Sequence, residues 1–573
     1  MSRLANDPEM LDFLGLNDQG WPATVDTKAV LPTVAGNPVA MTGGAYESAS
    51  QIDRELALWS PSMGSADSDI LPEKEILDAR SRDLVRNDAY VRSGSEIRKD
   101  NIVGSMYMLN SKPNHKALGL DEVWAEEFQQ EVEAKFTLWA ESVSNWPDAS
   151  GQTNFTGLIR LAVGLEMIAG EVLAVSEWIN DPRRPYKTAI QLIDTDRLSN
   201  PPSVMESDRV RGGIHRDHHG APLGYYIRRS HPSDMYVNMK AYQWKYVPVR
   251  KPWGRQQVIH IFERFRPDQT RGVAAMVSAL KETRIAKKFR DVMLQNAVVN
   301  ATYAATIESD LATEKVFEML GAGRGEDDWE KIFAKYAGGF LGALGAYMKN
   351  AKNATLNGVR IPHLFPGTRL QLRPAGQGGP LGTDFEASLL RYLAANLGVS
   401  YEQLSRDYSK TNYSSMKGAL NETYKGMMAR KRQTADTIAT HIYWLWLEEA
   451  FAKGTIESLP RNAPDYWEGL NREAYGQCEW IGASRGQIDE LKETQAAVLR
   501  IKYGLSTREE ELARLGKDWR QVFAQVARER AEAERLGIVF TEADNMMNAA
   551  SGAPRETEAR DEKADGSEEQ TDA

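Results

Sequence analysis

The 573-residue chain has one cysteine, Cys478. That excludes an internal disulfide framework and any zinc cluster built on several thiolates. It has no basic excess, with 70 Lys+Arg against 80 Asp+Glu and a formal charge of −10. A surface built as a whole to grip nucleic acid needs a basic face, so that class is disfavoured. Long apolar runs are also missing. The most apolar long segment, Leu158 to Ile179, is interrupted by Arg160, Glu166, Glu171 and Glu177, and Gly338–Met348 is short and glycine-rich. Neither offers the roughly 20 apolar residues of a membrane span. The first residues, MSRLANDPEM, carry acids and no apolar core of signal-peptide length. The expectation is a soluble protein made in the cytoplasm. No G-x-x-x-x-G-K-[ST] phosphate cradle and no HExxH occur, and GAGRG at Gly321–Gly325 is not a dinucleotide fingerprint.

What is present is ordinary globular composition, 42% hydrophobic and 26% charged, over a length that allows several domains. Residues 1–45 show no sustained period and read as a loose arm. Helical periodicity follows from Tyr46, with Ile52, Leu56 and Trp59, and again after Pro72. Helices are expected around Asp121–Ser144 and Asn154–Ala169. The pattern then turns to strands at Glu171–Ile179, Ala189–Ile193 and Gln257–Phe262, with a hairpin over Gly212–Arg229. Runs of helix followed by runs of strand predict an α+β class rather than alternating βαβ units. A long helix is expected over Val273–Thr306, then a glycine-rich mixed region over 307–382 with a strand at Arg369–Arg373. Further helices are expected at Asp384–Asn396 and from about Met416 to Ala452, separated by a polar loop at Gly398–Ser415. The segment HIYWLWLEEAF is apolar on more than one face, so it is buried or lies in a subunit interface. The block Gln487–Leu536 is helical and charged. The tail from Ser551, with eight acids and three bases, reads as disordered.

Three groups of residues invite a chemical reading. Gly482-Ala483-Ser484-Arg485-Gly486 fits the G-x-S-x-G nucleophile elbow, but the last histidine, His441, precedes the serine, where that fold needs one after it. A glycine-rich turn is the plain reading. His215, Asp217, His218 and His219 crowd one turn with His231 nearby. Zinc is conceivable there, yet adjacent histidines point apart and a solvated hairpin tip accounts for them. The pairs Asp67/Asp69 and Asp194/Asp196 are too common a pattern to count as a cation site. The third group is cationic: Arg406, Lys410 and Lys417, in or beside the 398–415 loop among Tyr401, Tyr408 and Tyr413. Spaced cations with aromatics can touch a phosphate backbone without reading bases. A solvated loop is the equal alternative. Lys281, Arg284, Lys287, Lys288 and Arg290 cluster on the first half of the 273–306 helix.

Several strings, in order over most of the chain, carry a resemblance. They are WSPSMGSADSDIL and ARSRDLVRND between Trp59 and Asp88, DNIVGS at Asp100–Ser105, IDTDRLSNP, GYYIRR, HIFERFRPDQTRGV at His260–Val273, GVSYEQLSRDYSKTNYSSMKGAL at Gly398–Leu420, and the segment from Arg485 to Trp519. Together they resemble the lambda-type portal proteins of tailed bacteriophages. Ala483-Ser484 departs from the Gly/Pro-like turn expected there.

The resemblance implies a ring, usually of twelve subunits, at one capsid vertex, with double-stranded DNA passing through it unread. It implies a wing over 46–272 with a return over 416–485, stem helices at 273–305 and 384–397, and a clip at 306–383. It further implies a tunnel loop at 398–415 and a helical crown at 486–550. Arg406, Lys410 and Lys417 would meet DNA, and Lys281, Arg284, Lys287 and Lys288 would lie on the stem. Implied partners are the terminase large subunit, the major capsid protein and head-completion or adaptor proteins. The location would be the virion, after assembly in the host cytoplasm. No cofactor, metal, membrane contact or catalytic residue is expected. The alternative from another class is a serine- or metal-dependent hydrolase using Ser484 or the His215–His219 cluster.

Overall fold

A computed structural model describes residues 58–302 (except 60 and 62), 354–356, 359–361 and 383–538 (except 485, 487 and 488). The chain divides into two units, 1–65 and 66–573, and the elements below belong to the second. The arm at 1–45, most of the helix expected from Tyr46, the strand at Arg369–Arg373, nearly all of the clip at 306–383 and the tail lie outside the described residues.

Three short helices open the unit: α1 (Ala66–Ile70), α2 (Lys74–Asn87) and α3 (Ala89–Ile102). Asp88 separates α2 from α3 by accepting hydrogen bonds from the backbone N–H of Tyr90 and Val91, the usual work of an N-cap aspartate. After β1 (Met108–Ser111) come α4 (Glu122–Ala140) and α5 (Phe155–Ala169), capped by Asp121 and Asn154. Gly170, at φ +75°, stops α5 and turns the chain directly into β2 (Glu171–Trp178).

Among the described residues the paired strands of the β region are all antiparallel, as α+β predicts, with one isolated parallel bridge from Asp148 to Ile190. One sheet runs β3 (Thr188–Ile193), β2, β8 (Val258–Phe262). The other runs β4 (Val210–Arg211), β5 (Ile214–Arg216), β6 (Pro222–Arg228), β7 (Trp244–Pro248), so the expected hairpin is the centre of a four-stranded sheet. Alternation along β2 splits its burial. Val172 and Ala174 join the main core, whereas Leu173 and Val175 pack with Ile214, Tyr225, Ile227 and Val247 of the second sheet.

The chain then runs through a 3-10 turn (Ala275–Ala279) into α6 (Leu280–Thr302). The helix expected from Val273 therefore starts seven residues later, because residues 270–272 are held by the sheet region. A short hairpin, β9 (Ala354–Leu356) with β10 (Val359–Ile361), falls within the expected clip. α7 (Thr383–Leu397) leads through a short helix, α8 (Tyr401–Ser405), to α9 (Tyr413–Arg430) and α10 (Thr437–Lys453). After β11 (Cys478–Ile481), which pairs with β1, come α11 (Glu490–Lys502), α12 (Arg508–Arg514) and α13 (Trp519–Leu536).

α10 carries the HIYWLWLEEAF segment and is buried inside its own subunit. Ile438, Ile442, Tyr443, Leu445, Trp446 and Leu447 have no exposed surface. Of the two homes open to this segment, the structure chooses the core. Phe136 is the hub of that core: its ring lies 5.3 to 6.0 Å from those of Trp139, Phe155, Tyr443, Trp446 and Trp480. Such aromatic pairs add about 0.5–1.5 kcal/mol each beyond burial. No helix among the described residues is long and apolar enough to cross a membrane.

Candidate functional site

The loop between α7 and α9 is shaped by a succession of caps. Gly398, at φ +71°, turns the chain away from α7. Ser400 and Gln403 form a reciprocal capping box that starts α8. Arg406, at φ +59°, ends it. The Asp407 carboxylate accepts hydrogen bonds from the Ser409 backbone N–H (3.0 Å) and hydroxyl (2.6 Å), which hold its pKa below the usual carboxylate value. Asn412 caps α9 by accepting from the Ser415 N–H at 2.9 Å. The backbone polar groups are thus satisfied locally and the side chains of residues 406–410 point to solvent.

Of the three cations expected here, Arg406 and Lys410 are exposed, and among the described residues neither forms an ion pair. Lys417 differs. It sits on the first turns of α9, 3.6 Å from Glu493 of α11 and over the Tyr413 ring. The expected loop is shorter than 398–415, because α8 and the start of α9 lie inside that range. On α6, Lys281, Arg284 and Lys288 are exposed, while Lys287 donates to the Asn87 carbonyl at 2.7 Å. Arg290 pairs with Asp88 at 2.6 Å, and Phe289 meets Phe385 of α7. These contacts tie α6 to the joint between α2 and α3.

Beneath lies an ionic cluster that sequence reading missed. Glu171, at the start of β2, is fully buried. It accepts from the Arg271 guanidinium (2.6 Å), the Gly272 N–H (2.8 Å) and His260 Nε2 (3.2 Å), and lies 3.3 Å from Lys74 Nζ. Burial pushes this carboxyl up, but Arg271 and Lys74 outweigh it and hold the acid well below its ordinary range. Burial lowers the His260 pKa. Arg271 also donates to the carbonyls of Leu198, Gly212 and Thr195, and Lys74 to those of Ala169 and Gly272. Asp67 receives the Thr270 N–H at 2.8 Å and the Thr270 hydroxyl. Arg82 donates to Asp194 and Asp196, and His231 Nε2 lies 3.2 Å from Asp196.

The GSAD, ARSRD, IDTDR and DQTRG strings that carry the resemblance therefore meet at one joint, where α2, α5, both sheets and the lead-in to α6 converge. A signal was available. Lys74 and Asp78 stand four apart, and Glu171 opens an otherwise apolar run.

A second joint interrupts the long helix expected over 416–452. Residues Lys431–Asp436 form a π-helical turn between α9 and α10. Lys431 Nζ donates to Asp436 at 2.8 Å and to the Trp480 carbonyl at 2.8 Å, and it sits over the Tyr107 ring. Tyr107 donates its hydroxyl to the same Asp436. Residues five apart do not face each other on an α-helix; the wider turn brings them together.

The hydrolase reading finds no support. Ser484 is exposed on the turn after β11. His441 meets Trp444 edge to face, and burial drives its pKa down to about 4, so it is a poor base at neutral pH. Burial pushes the Cys478 thiol up to about 12, which makes it a poor nucleophile. In the histidine turn, Asp217 accepts backbone N–H groups of His219 and Ala221, and His215 meets Tyr246. His231 instead joins Asp194 and Asp196, the one group among the described residues with metal-ligand spacing. Arg82 already donates to both of those carboxylates.

These features are ionic joints around a long helix, and an exposed cationic loop. The chain belongs to the lambda family of phage portal proteins, whose pattern matches residues 53–431. Among its relatives, the portal protein of Escherichia phage N15 is 37% identical over 484 residues, 84% of this chain and 89% of that one. Portal protein B of Escherichia phage lambda is 35% identical over 513 residues, 89% of this chain and 94% of that one. A solved structure, the neck of an empty gene transfer agent particle computed with C6 symmetry, is similar at 16% identity with a TM-score of 0.37. That match covers 80% of this chain and 95% of the other.

Proposed function

We propose that copies of this chain, twelve in number, close into a ring at one vertex of a phage capsid and form the channel for DNA packaging and ejection. Membership of the portal family carries this reading. On it, α6 and α7 are the stem, residues 306–383 the clip that docks the terminase large subunit and later the head-completion proteins, and α11–α13 the crown. The major capsid protein surrounds the ring in the virion, and assembly takes place in the host cytoplasm. The chain has no catalytic step of its own and takes no cofactor.

The loop 398–415 faces the DNA. Phosphate affinity falls steeply with salt and grows with each cation engaged, so a conduit that gripped many phosphates would stall. Two free cations per copy, Arg406 and Lys410, on a protein of net charge −10 give weak contact without base readout. Lys417 supports the loop through Glu493 rather than touching DNA. The test is Arg406→Ala and Lys410→Ala in infectious particles. Rings of normal appearance in electron micrographs with DNA packaging or retention reduced severalfold are expected. Normal packaging in both variants would make these side chains bystanders.

A further inference from the structure

The helix that carries the cationic loop is held at one end and loose along its length. α10 buries Ile442, Leu445 and Trp446 completely and is fixed in the core. α9 is different. Among its described residues only Met427 is buried, and a Cβ on Gly418 or Gly426 would meet nothing within 4 Å. Between the two helices lies the π-helical turn Lys431–Asp436. A π turn holds one residue more than an α turn, and such turns recur at functional sites. Taking up the α register there would turn α9 by about 100° and shift it by about 1.5 Å along its axis, with α10 unmoved. Each place on α9 would then pass to the next residue in the chain.

The sequence suits both registers. In the π turn Asp436 pairs with Lys431, five residues before it, at 2.8 Å. In an α register the residue that faces Asp436 is Arg432, four before it. Arg432 is exposed in the π register. After the slip it stands in the place of Lys431, a cation beside the Trp480 carbonyl and the Tyr107 ring that Lys431 meets now. Met428 likewise takes the place of Met427, so the buried position of α9 keeps a methionine. On the half-buried flanks, Leu420 and Tyr424 enter the places of Ala419 and Thr423, and Asn421 and Lys425 enter those of Leu420 and Tyr424. Apolar surface lost at one pair is regained at the other. One contact has no substitute. Gly418 takes the place of Lys417, and the pair with Glu493 of α11, at 3.6 Å, is lost.

We infer that the Lys431–Asp436 turn is a two-register switch: Lys431 holds the π state, Arg432 holds the α state, and α9 turns between them as a rod. Side chains about 5 Å from the helix axis swing by about 8 Å in such a turn. The loop joined to Tyr413 moves with the rod, so Arg406 and Lys410 change their aim. That last consequence rests on the proposed placement of the loop against DNA; the switch itself does not. Glu493 of α11 meets Lys417 in the π state alone and so reports the register.

The test uses the purified full-length chain and a water-soluble carbodiimide, which couples a carboxylate to an amine in contact with it as an amide. Mass spectrometry measures the Lys417–Glu493 cross-link. Lys417 lies about 21 Å along the helix from Lys431, so a local effect does not reach it. Lys431→Met keeps the length of the side chain and removes the charge that holds the π state. The cross-link should then fall at least about fivefold, the population shift expected from one charge-assisted pair. Arg432→Met should leave it at the parent level. Deleting Gln433 from the Lys431→Met chain takes out the extra residue, so an α register returns Lys417 to Glu493 and the cross-link should recover. Unchanged near-ultraviolet circular dichroism checks each fold. Where the deletion fails to fold, Lys431→Met with Arg432→Met serves instead; the α state has then lost its cation too, and recovery is again expected. An undiminished cross-link in folded Lys431→Met overturns the switch, as does a loss that neither second change restores. A parent chain without the cross-link also overturns it. None of these results bears on the ring or the channel, which packaging by the Arg406 and Lys410 variants tests separately.

Discussion

Glu171, fully buried, and Glu133, half-buried, are acids driven in opposite directions. Glu171 is held down by Arg271 and Lys74, so its stabilising contribution is present above the unfolded carboxyl range and is lost as pH falls through its native value. Glu171→Gln leaves Arg271 without its carboxylate inside the protein, while Lys74 keeps Asp78 at 3.0 Å, and should cost about 3–5 kcal/mol, read as a lower urea midpoint. Glu133 has lost water without gaining a cation at bonding distance. Burial pushes it up to about 7, against hydrogen bonds from the Ser111 N–H and Gln129. Its proton is bound more tightly in the native state, so its contribution is present below pH 4.5 and is lost as pH rises to 7. Glu133→Gln should gain on the parent by roughly 1–3 kcal/mol between pH 5 and 8, measured as the difference in unfolding free energy. Glu133 was not legible as special in the sequence, and Glu171 only as the acid that opens an apolar run. What decides its state is the company brought from 100 residues away, as Arg271 is to Glu171. Arg406 and Lys410 were legible because their environment is water, which the polar loop around them already announces. The pairing of Lys417 with Glu493 was not legible, because Glu493 is distant in sequence.

Among the elements, apolar segments with clear stops were read almost to the residue. Glu171–Trp178 and Phe155–Ala169 are examples, with a run buried on both faces in one and an Asn cap and Gly stop in the other. The π turn was invisible. Periodicity counts side chains and does not register a hydrogen-bond ladder that slips by one residue. The ion pair of Lys431 and Asp436 holds that slip. An α-register there would turn α9 by about 100° relative to α10 and separate the pair. Lys431→Met should raise amide hydrogen exchange across residues 427–436 by roughly tenfold, the loss of one charge-assisted bond. Arg432→Met, at an exposed neighbour, should leave exchange unchanged.

At the scale of the whole molecule, an acidic chain with one cysteine and no phosphate cradle left function to be argued from family strings rather than from a catalytic constellation. Four of those strings contribute residues to the joint around Glu171. The apolar HIYWLWLEEAF segment could not be assigned to core or interface from its own pattern, because both homes ask for the same side chains. The tail 551–573, with its surplus of acids, has too little apolar surface to contribute to packing. Its removal should leave particle assembly and ring size unchanged in electron micrographs.

The approach to α6 is made where Gly170 and Gly272 cross. A Cβ on Gly170 would stand 2.1 Å from the Val273 carbonyl carbon, and one on Gly272 would stand 2.2 Å from the Gly170 oxygen. Main chain lies directly on main chain there, with no side chain between to be trimmed or regrown. Such a seam cannot drift by small steps. Lineages are free to lengthen or recharge the helix beyond it, while the pivot from which that helix springs is inherited whole or lost outright.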